Sequence, residues 1–316
     1  MNRRLSIIAA RQGSAFTRSQ AADCGYSDDD VRDMLRKGVW IRLRRGAYTL
    51  RESYESLDPV GRHRVLVHAV VTALGLNVAV SHTSAAVVYG LPTWGLDLSR
   101  VHVTRLDTGA GRIEGDVLHH AGEIAASGIS HHDGLRIVPP GRAVVEVAAL
   151  SSFEVGVVVA DNALHLGMAT KDELHELLAS IRSWPGARTV SAVVPFADGR
   201  AESPGESRNR VLCHEEDLPI PELQQEIRDG TGQLVGRVDG LFREEHTVME
   251  FDGRLKYSGD DAGERTFQEK RREDRLRELG FEVVRVTWAD LDYPRYTAMR
   301  IRRAFERARA RRLVTP

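Results

Sequence analysis

The sequence predicts an α/β (α+β) protein with three regions, at residues 1–55, 56–197 and 203–316. The chain has 316 residues, of which 42% are hydrophobic and 28% charged, an ordinary globular composition with room for two or three domains. Helix-like and strand-like patterns both occur along it, and a turn-rich segment at 198–205 precedes the last region. These observations favour two or three domains of mixed α/β structure.

Residues 1–50 have the pattern of three short helices followed by a hairpin. Thr17 is a candidate cap for the second helix. Ser27, with Asp30 three residues later, resembles a capping box and predicts a third helix that ends at Gly38. The first region therefore begins as a compact helical unit.

A strand at 39–43, a turn at 44–46 and a returning strand at 47–50 follow the third helix. Helices followed by a basic hairpin predict a winged helix-turn-helix, in which the third helix enters the major groove of DNA and the wing contacts phosphates. We predict that three wing residues bind DNA: Arg42, Arg44 and Arg45. A small helical bundle with a solvated hairpin is the alternative.

The net charge of −1 conceals two basic ends. Residues 1–50 contain ten Lys or Arg and five Asp or Glu, and residues 295–312 contain eight Arg and one Glu. Such ends predict surfaces that bind phosphate, and we expect Arg302 and Arg303 of the last helix to do so. The alternative is a solvated arginine face whose opposite side packs inward through apolar residues: Ile301, Ala304, Phe305 and Ala308.

The middle region has helical patterns at 59–76 and 81–90, a strand at 101–105 and several helices between 141 and 194. It also contains clustered histidines, in two adjacent pairs: His119-His120 and His131-His132. Adjacent residues of a strand point to opposite faces, so each pair offers at most one inward metal ligand. We therefore interpret all four as surface or turn histidines, with a metal site as the alternative.

The last region has the pattern of a compact α/β core, with Ser203 as the cap of its first helix. The predicted elements are, in order, a helix at 204–216, strands at 223–228, 234–242 and 247–252, a helix at 262–279, a strand at 281–287 and an arginine-rich helix. The segment between the second and third strands has only four residues, which predicts a hairpin.

This hairpin carries three acidic residues that predict a metal site. Glu250 and Asp252 lie two residues apart on one strand and so share a face, and Asp239 can lie across from them. Carboxylates that converge in this way repel one another unless a cation neutralises them, and their oxygens suit Mg²⁺ or Mn²⁺. Such an ion would polarise a scissile phosphate and activate a water.

Two further residues extend this hypothesis. Glu206, on the preceding helix, is a candidate outer ligand, and Lys256, four residues after Asp252, is a candidate stabiliser of the developing charge. The alternative is that these acids are ordinary turn and surface carboxylates, since Asp-Gly at 252–253 is a common turn signal.

The run EFDGRLKY at 250–257, preceded by RVD at 237–239, resembles the core of the PD-(D/E)xK nuclease superfamily. It is most similar to the branch that resembles very-short-patch-repair endonucleases, and later segments at 269–276 and 280–286 extend the likeness. The resemblance implies a restriction-endonuclease-like core over 203–316. It also implies a Mg²⁺-dependent DNA endonuclease or nickase.

One position departs from that family's pattern. The superfamily's lysine normally follows the second acid by two residues, where this chain has Asp252. Lys256 or Lys270 would have to replace it, and Lys270 with its neighbour Arg271 is also a candidate DNA contact. Degenerate members of the fold bind DNA without cleaving it.

Residues 5–195, above all the first 50 residues and the segment SHTSAA at 81–86, resemble the AbiEi-like antitoxin family. The resemblance implies an N-terminal winged helix that represses its own operon, and a toxin or a second copy of the chain as partner. Two functions therefore remain open. One is a metal-dependent DNA endonuclease or nickase, and the other is an antitoxin-type transcriptional regulator with an inactive nuclease-like domain.

Cysteine content and hydropathy predict a cytoplasmic protein. Cys24 and Cys213 are too far apart in sequence to suggest a disulfide framework or a four-cysteine zinc site. No apolar run approaches the ~18 residues that a membrane helix needs, so we expect no membrane partner. The opening residues are interpreted as a helix start and not as a signal peptide.

Overall fold

The computed structural model describes residues 2–107, 109–122, 124, 128–253 and 262–314. It confirms the mixed α/β class. The chain forms two compact units. The N-terminal unit comprises Met1–Ala163 and Gly167–Pro195, and the C-terminal unit comprises Leu164–Leu166 and Phe196–Pro316.

The first elements of the N-terminal unit have the order of a winged helix. They are α1 (Arg3–Ala10), β1 (Ala15–Thr17), α2 (Arg18–Asp23), α3 (Asp28–Arg36), β2 (Trp40–Arg44) and β3 (Ala47–Leu50). The strands form an antiparallel sheet in the order β1-β3-β2. Capping boxes at Thr17 and Ser27 begin α2 and α3, as the sequence predicts. The hairpin β2-β3 is the wing.

An aromatic cluster holds the winged helix together. Trp40 of β2 is fully buried, with its ring 4.8 Å from that of Phe16 and 5.0 Å from that of Tyr26. Tyr48 of β3 lies 6.1 Å from Phe16. Since these residues come from β1, β2, β3 and the segment that leads into α3, their packing fixes the start of α3 against the wing.

The rest of the N-terminal unit is built on a six-stranded mixed sheet with the order β6-β7-β5-β4-β9-β8. Its strands are β4 (Val78–Val80), β5 (Val101–Arg105), β6 (Arg112–Glu114), β7 (Val117–His120), β8 (Ser130–His132) and β9 (Leu135–Ile137). The pairs β5-β7 and β4-β9 are parallel. The sequence predicted β5 alone, because most of the other strands have only three residues and show little periodicity.

Helices accompany this sheet. They are α4 (Arg51–Glu55), α5 (Pro59–Leu74), α6 (His82–Tyr89), α7 (Pro140–Leu150), α8 (Phe153–His165), α9 (Lys171–Ser180) and α10 (Ala187–Phe196), with a 3-10 turn at Gly75–Asn77. Gly90 ends α6 in the left-handed conformation, with φ of +75°. Ser81 precedes α6, and its side chain makes no capping hydrogen bond.

The C-terminal unit contains a four-stranded sheet between helices. Its elements are α11 (Pro204–Glu215), β10 (Glu222–Arg228), β11 (Leu234–Phe242), β12 (Thr247–Asp252), α12 (Ala262–Glu278), β13 (Glu282–Thr287), α13 (Trp288–Leu291) and α14 (Pro294–Val314). The strand order is β10-β11-β12-β13, antiparallel except for the parallel pair β12-β13. Ser203 caps α11, and the β11-β12 hairpin forms, as predicted.

Helices α11 and α14 contribute to one apolar cluster with β12 and β13. A Cβ added to Gly205 would lie 2.0 Å from Cε1 of Phe251, so only glycine lets the first turn of α11 approach β12 this closely. The apolar side of α14 is buried as predicted: Ile301, Ala304, Phe305 and Ala308. The start of α11 therefore lies next to the end of β12.

Candidate functional site

Acidic residues of β11 and β12 converge on one cavity. The register pairs Gly240 with Met249, which puts Asp239 and Glu250 side by side on adjacent strands. The amide of Phe251 donates a hydrogen bond of 2.8 Å to Oδ2 of Asp239. The cavity has a volume of about 310 Å³. Its lining residues are Arg237, Asp239, Glu250, Phe251, Asp252, Glu269, Arg272 and Arg285. We call it the carboxylate cavity.

Burial disfavours the charged form of both acids. It raises the pKa of Glu250 to about 7, and the nearby charge of Asp239 adds to this while Arg272 opposes it. Burial also raises the pKa of Asp239, against the effect of the Phe251 amide. Within the described part of the chain, Oε1 of Glu250 is buried and has no hydrogen-bond partner. An unpaired buried carboxylate oxygen beside a second acid suits a bound cation.

The cations that line the described cavity are arginines. Nη2 of Arg272 lies 3.2 Å from Oε2 of Glu250, and its Nη1 donates to the backbone oxygen of Arg237 at 3.0 Å. Arg285 donates instead to Glu273, at 2.7 and 3.0 Å. The charge of Glu250 is thus partly neutralised by the guanidinium of Arg272, which stays protonated.

Glu206 lies near Asp239 but its carboxylate has other partners. Its Oε1 accepts from the hydroxyl of Ser203 at 2.7 Å, and its Oε2 accepts from the amide of Glu202 at 3.1 Å and from Gln224 at 2.7 Å. Gln224 has φ of +53°, a strained backbone for a residue other than glycine. Burial raises the pKa of Glu206, and the charge of Asp239 adds to the effect. Glu206 therefore helps to cap α11 and is not one of the residues that line the carboxylate cavity.

The structure describes one of the two candidate lysines. Lys256 lies outside the described residues. Lys270 is exposed on α12, and it is Glu269 and Arg272 of that helix that line the cavity. Arg271 is exposed next to Lys270. Among the described residues, Arg272 provides the positive charge next to Glu250.

The predicted DNA contacts of the wing divide into two groups. Arg42 and Arg45 are exposed. The side chain of Arg44 is only 16% exposed, and its Nη2 lies 4.0 Å from Oδ1 of Asp116. Arg44 ends β2 next to the turn of the wing, but its side chain packs towards Asp116, and its contact with DNA stays a prediction.

Ion pairs neutralise most of the acidic side chains of α3. Asp28 pairs with Arg18, and Asp29 pairs with Arg32. Asp33 pairs with Arg36 and, at 2.6 Å, with Lys37. Because these partners are long, exposed side chains, they can leave the acids for a phosphate at little cost.

The arginines of α14 are engaged within the C-terminal unit. Arg302 donates to the backbone oxygen of Glu216, whereas Arg303 is exposed. Several neighbours form ion pairs with acids: Arg300 with Asp290, Arg307 and Arg311 with Glu282, and Arg309 with Glu245. Phosphate binding by α14 would compete with these ion pairs, so we expect the helix to bind DNA more weakly than its number of arginines suggests.

The interpretation of His119 and His120 as surface histidines is wrong. His119 is 3% exposed and His120 is half-buried, both on β7 in the middle of the mixed sheet. His131 and His132 are exposed on β8, as expected. The error arose because β7 has only four residues and shows no alternation of apolar and polar side chains.

Comparison with known proteins finds that the winged helix is similar to a known family. Residues 3–51 match the family model described as a transcriptional regulator, AbiEi antitoxin. The chain is also similar to uncharacterized proteins of Mycobacterium tuberculosis from strains CDC 1551 and H37Rv. Each is 28% identical over 276 residues, which cover 87% of this chain and 96% of the relative. The similarity to them thus extends over both units.

No described helix combines the length and the apolar character that crossing a membrane requires.

Proposed function

We propose that this chain is a DNA-binding transcriptional regulator of the antitoxin type, and that its winged helix binds the DNA. The observation that carries the proposal is the coincidence of the matched segment, 3–51, with the three helices and three strands of this element. A toxin protein or a second copy of the chain is the partner that such a regulator would bind.

Charge and exposure indicate how the winged helix would contact DNA. Residues 1–50 carry ten basic and five acidic side chains, and two of the acids at the start of α3, Asp28 and Asp29, form ion pairs. Arg42 and Arg45 are exposed on or beside the wing, unlike Arg44, which is held beside Asp116. We expect α3 to enter the major groove and the two exposed wing arginines to contact phosphates.

DNA binding at several salt concentrations tests this function. The probes are the duplex upstream of the gene and a scrambled duplex of the same length. Replacing Arg42 and Arg45 by alanine together should lower affinity for both duplexes and reduce the salt slope by about 1 for each arginine that binds a phosphate in the wild type. Arg182→Ala, which removes an exposed arginine outside the wing, is the matched control. Equal binding by the wing variant and the wild type would exclude this mode of recognition.

We propose as a second function that the carboxylate cavity hydrolyses phosphodiester bonds with a divalent metal ion. The unpaired, buried Oε1 of Glu250 and the raised pKa of Glu250 favour it, since both are relieved by a cation. Asp239, Glu250 and Asp252 would hold Mg²⁺ or Mn²⁺. When bound, such an ion polarises a phosphate and activates water. Arg272, next to Glu250, would stabilise the developing negative charge.

Cleavage of supercoiled plasmid tests the second function. The protein is incubated with Mg²⁺ or Mn²⁺, with and without EDTA, beside the variants Asp239→Asn and Glu226→Gln. Glu226 is an exposed acid of β10 and serves as the control. Nicking that needs metal, persists in the control and is lost in Asp239→Asn supports hydrolysis. DNA binding without cleavage by any metal would leave the regulator function alone, with an inactive nuclease-like unit.

A further inference from the structure

Three histidines that are distant in sequence meet inside the N-terminal unit. His102 of β5 and His120 of β7 lie on one face of the sheet, because Thr104 pairs with His120 and shares a face with His102. His82, the first residue of α6, stacks on His120 with ring centroids 3.6 Å apart. One ring nitrogen from each lies within 4.8 Å of the others.

We propose that His82, His102 and His120 bind a divalent transition-metal ion of the Zn²⁺ class. Imidazole nitrogens prefer such ions, whereas Mg²⁺ prefers oxygen. Nδ1 of His102 and Nε2 of His120 already lie 3.0 Å apart. Two ligands of a tetrahedral zinc ion, each about 2.1 Å from it, are about 3.4 Å apart, so the rings need to separate only slightly.

The surroundings of His82 are those of an oriented metal ligand. Its Nδ1 lies 3.0 Å from the hydroxyl of Ser81 and 3.3 Å from Oε2 of Glu146, which leaves Nε2 for an ion. Glu146 also accepts from the backbone amide of His82 at 3.0 Å and from Arg142 at 2.8 Å. A carboxylate behind a ligating imidazole fixes the ring and its tautomer.

The backbone of His82 supports a functional reason for this arrangement. Its φ is +51°, in the left-handed region that residues other than glycine rarely adopt. The hydrogen bond from the backbone amide of His82 to Glu146 stabilises that conformation, in which the ring of His82 stacks on that of His120. Strain of this kind persists where surrounding contacts demand a particular side-chain position.

The cluster opens to a cavity with room for a further ligand. The cavity has a volume of about 240 Å³, and its walls include His82, His120 and Thr104. Among the described residues, Oγ1 of Thr104 is buried without a hydrogen-bond partner. A water or a small anion on the fourth position of the metal ion would occupy this space.

Burial also keeps the rings in the form that binds metal. Burial, together with the charges of neighbouring histidines, lowers the pKa of His102 to about 4, and burial lowers that of His120 to about 4. Neutral imidazoles offer a lone pair at neutral pH.

Zn²⁺ titration of the EDTA-treated full chain tests the proposal. Excess Mg²⁺ is added to occupy the cation site of the carboxylate cavity. Under these conditions the wild type should bind one Zn²⁺ and show a higher melting temperature. His120→Gln, a change at a half-buried position, should abolish both effects while its circular dichroism stays native. His131→Gln, on exposed β8, is the matched control and should behave as the wild type.

Two further readouts keep the test decisive. Co²⁺ in place of Zn²⁺ should give the visible absorption of a four-coordinate nitrogen site in the wild type but not in His120→Gln. Glu146→Gln, which changes only the residue behind His82, should weaken Zn²⁺ binding by about 10- to 100-fold without removing it. Absence of stoichiometric Zn²⁺ binding by the wild type, or equal binding by the wild type and His120→Gln, would overturn the proposal.

Discussion

Replacing Glu250 by glutamine should stabilise the C-terminal unit at pH 8 in metal-free buffer. The side chain of Glu250 is 12% exposed, and its burial raises the pKa to about 7 from an ordinary 4.5. At about 1.4 kcal/mol per pKa unit, ionising Glu250 in the folded protein costs about 3 kcal/mol more than in the unfolded chain. Glutamine keeps the shape and avoids this cost.

The pH dependence follows from the sign of the shift. Below pH 4.5 the carboxyl group is protonated in both folded and unfolded chains, so wild type and Glu250→Gln should be about equally stable. As the pH rises from 4.5 to about 7, the unfolded chain loses its proton first and the wild type loses stability. Above that range the variant should be more stable by up to about 3 kcal/mol.

Urea unfolding followed by hydrogen exchange of residues 247–252 measures this difference in the C-terminal unit alone. Glu226→Gln is the control and should change stability by less than about 0.5 kcal/mol at any pH. Adding Mg²⁺ should stabilise the wild type, by about 2.7 kcal/mol at 100 times its Kd, but not Glu250→Gln. A variant that is less stable than the wild type at pH 8 would refute the reasoning, because it would mean that the ionised pair with Arg272 stabilises the fold.

Other substitutions test the packing that positions both proposed functions. Gly205→Ala places a Cβ 2.0 Å from Phe251 and should destabilise the C-terminal unit by about 1–3 kcal/mol. Gly230→Ala is the control, because the space around Gly230 is open and the added Cβ should not destabilise the unit. Urea unfolding of the two variants measures the difference. Ser27→Ala removes the cap of α3 and should cost the N-terminal unit about 1 kcal/mol and weaken DNA binding; an unchanged melting curve would contradict this. Trp40→Ala should cost about 3–5 kcal/mol in thermal unfolding, and a smaller loss would show that the aromatic cluster is dispensable.

Local signals determined which elements the sequence could predict. The caps at Thr17, Ser27 and Ser203 and the strands 234–242 and 247–252 depend on residues a few positions apart, and each has the predicted place. The six-stranded sheet was missed because its strands are short and their pairing joins distant segments. A period of two cannot be recognised in three residues.

The same distinction applies to the two sites. Asp239 and Glu250 lie on neighbouring strands of one hairpin, so alternation and a short turn suffice to bring them together. Arg272 reaches Glu250 from α12, and His82, His102 and His120 come from one helix and two strands. No spacing rule connects such residues, and the histidine cluster is recognised from the short distances between its ring nitrogens once the fold is known.

The identity of the cation beside Glu250 determines what the carboxylate cavity can do. A guanidinium remains protonated at any physiological pH, so Arg272 can stabilise negative charge but cannot accept a proton from water. Asp252, on the same face of β12 and lining the same cavity, is then the carboxylate placed to take that proton. In the proposed hydrolysis Asp252 would therefore both help to hold the metal ion and accept this proton. Without a proton acceptor the cavity would bind a cation and a phosphate without cleaving, and the protein would function through its winged helix alone.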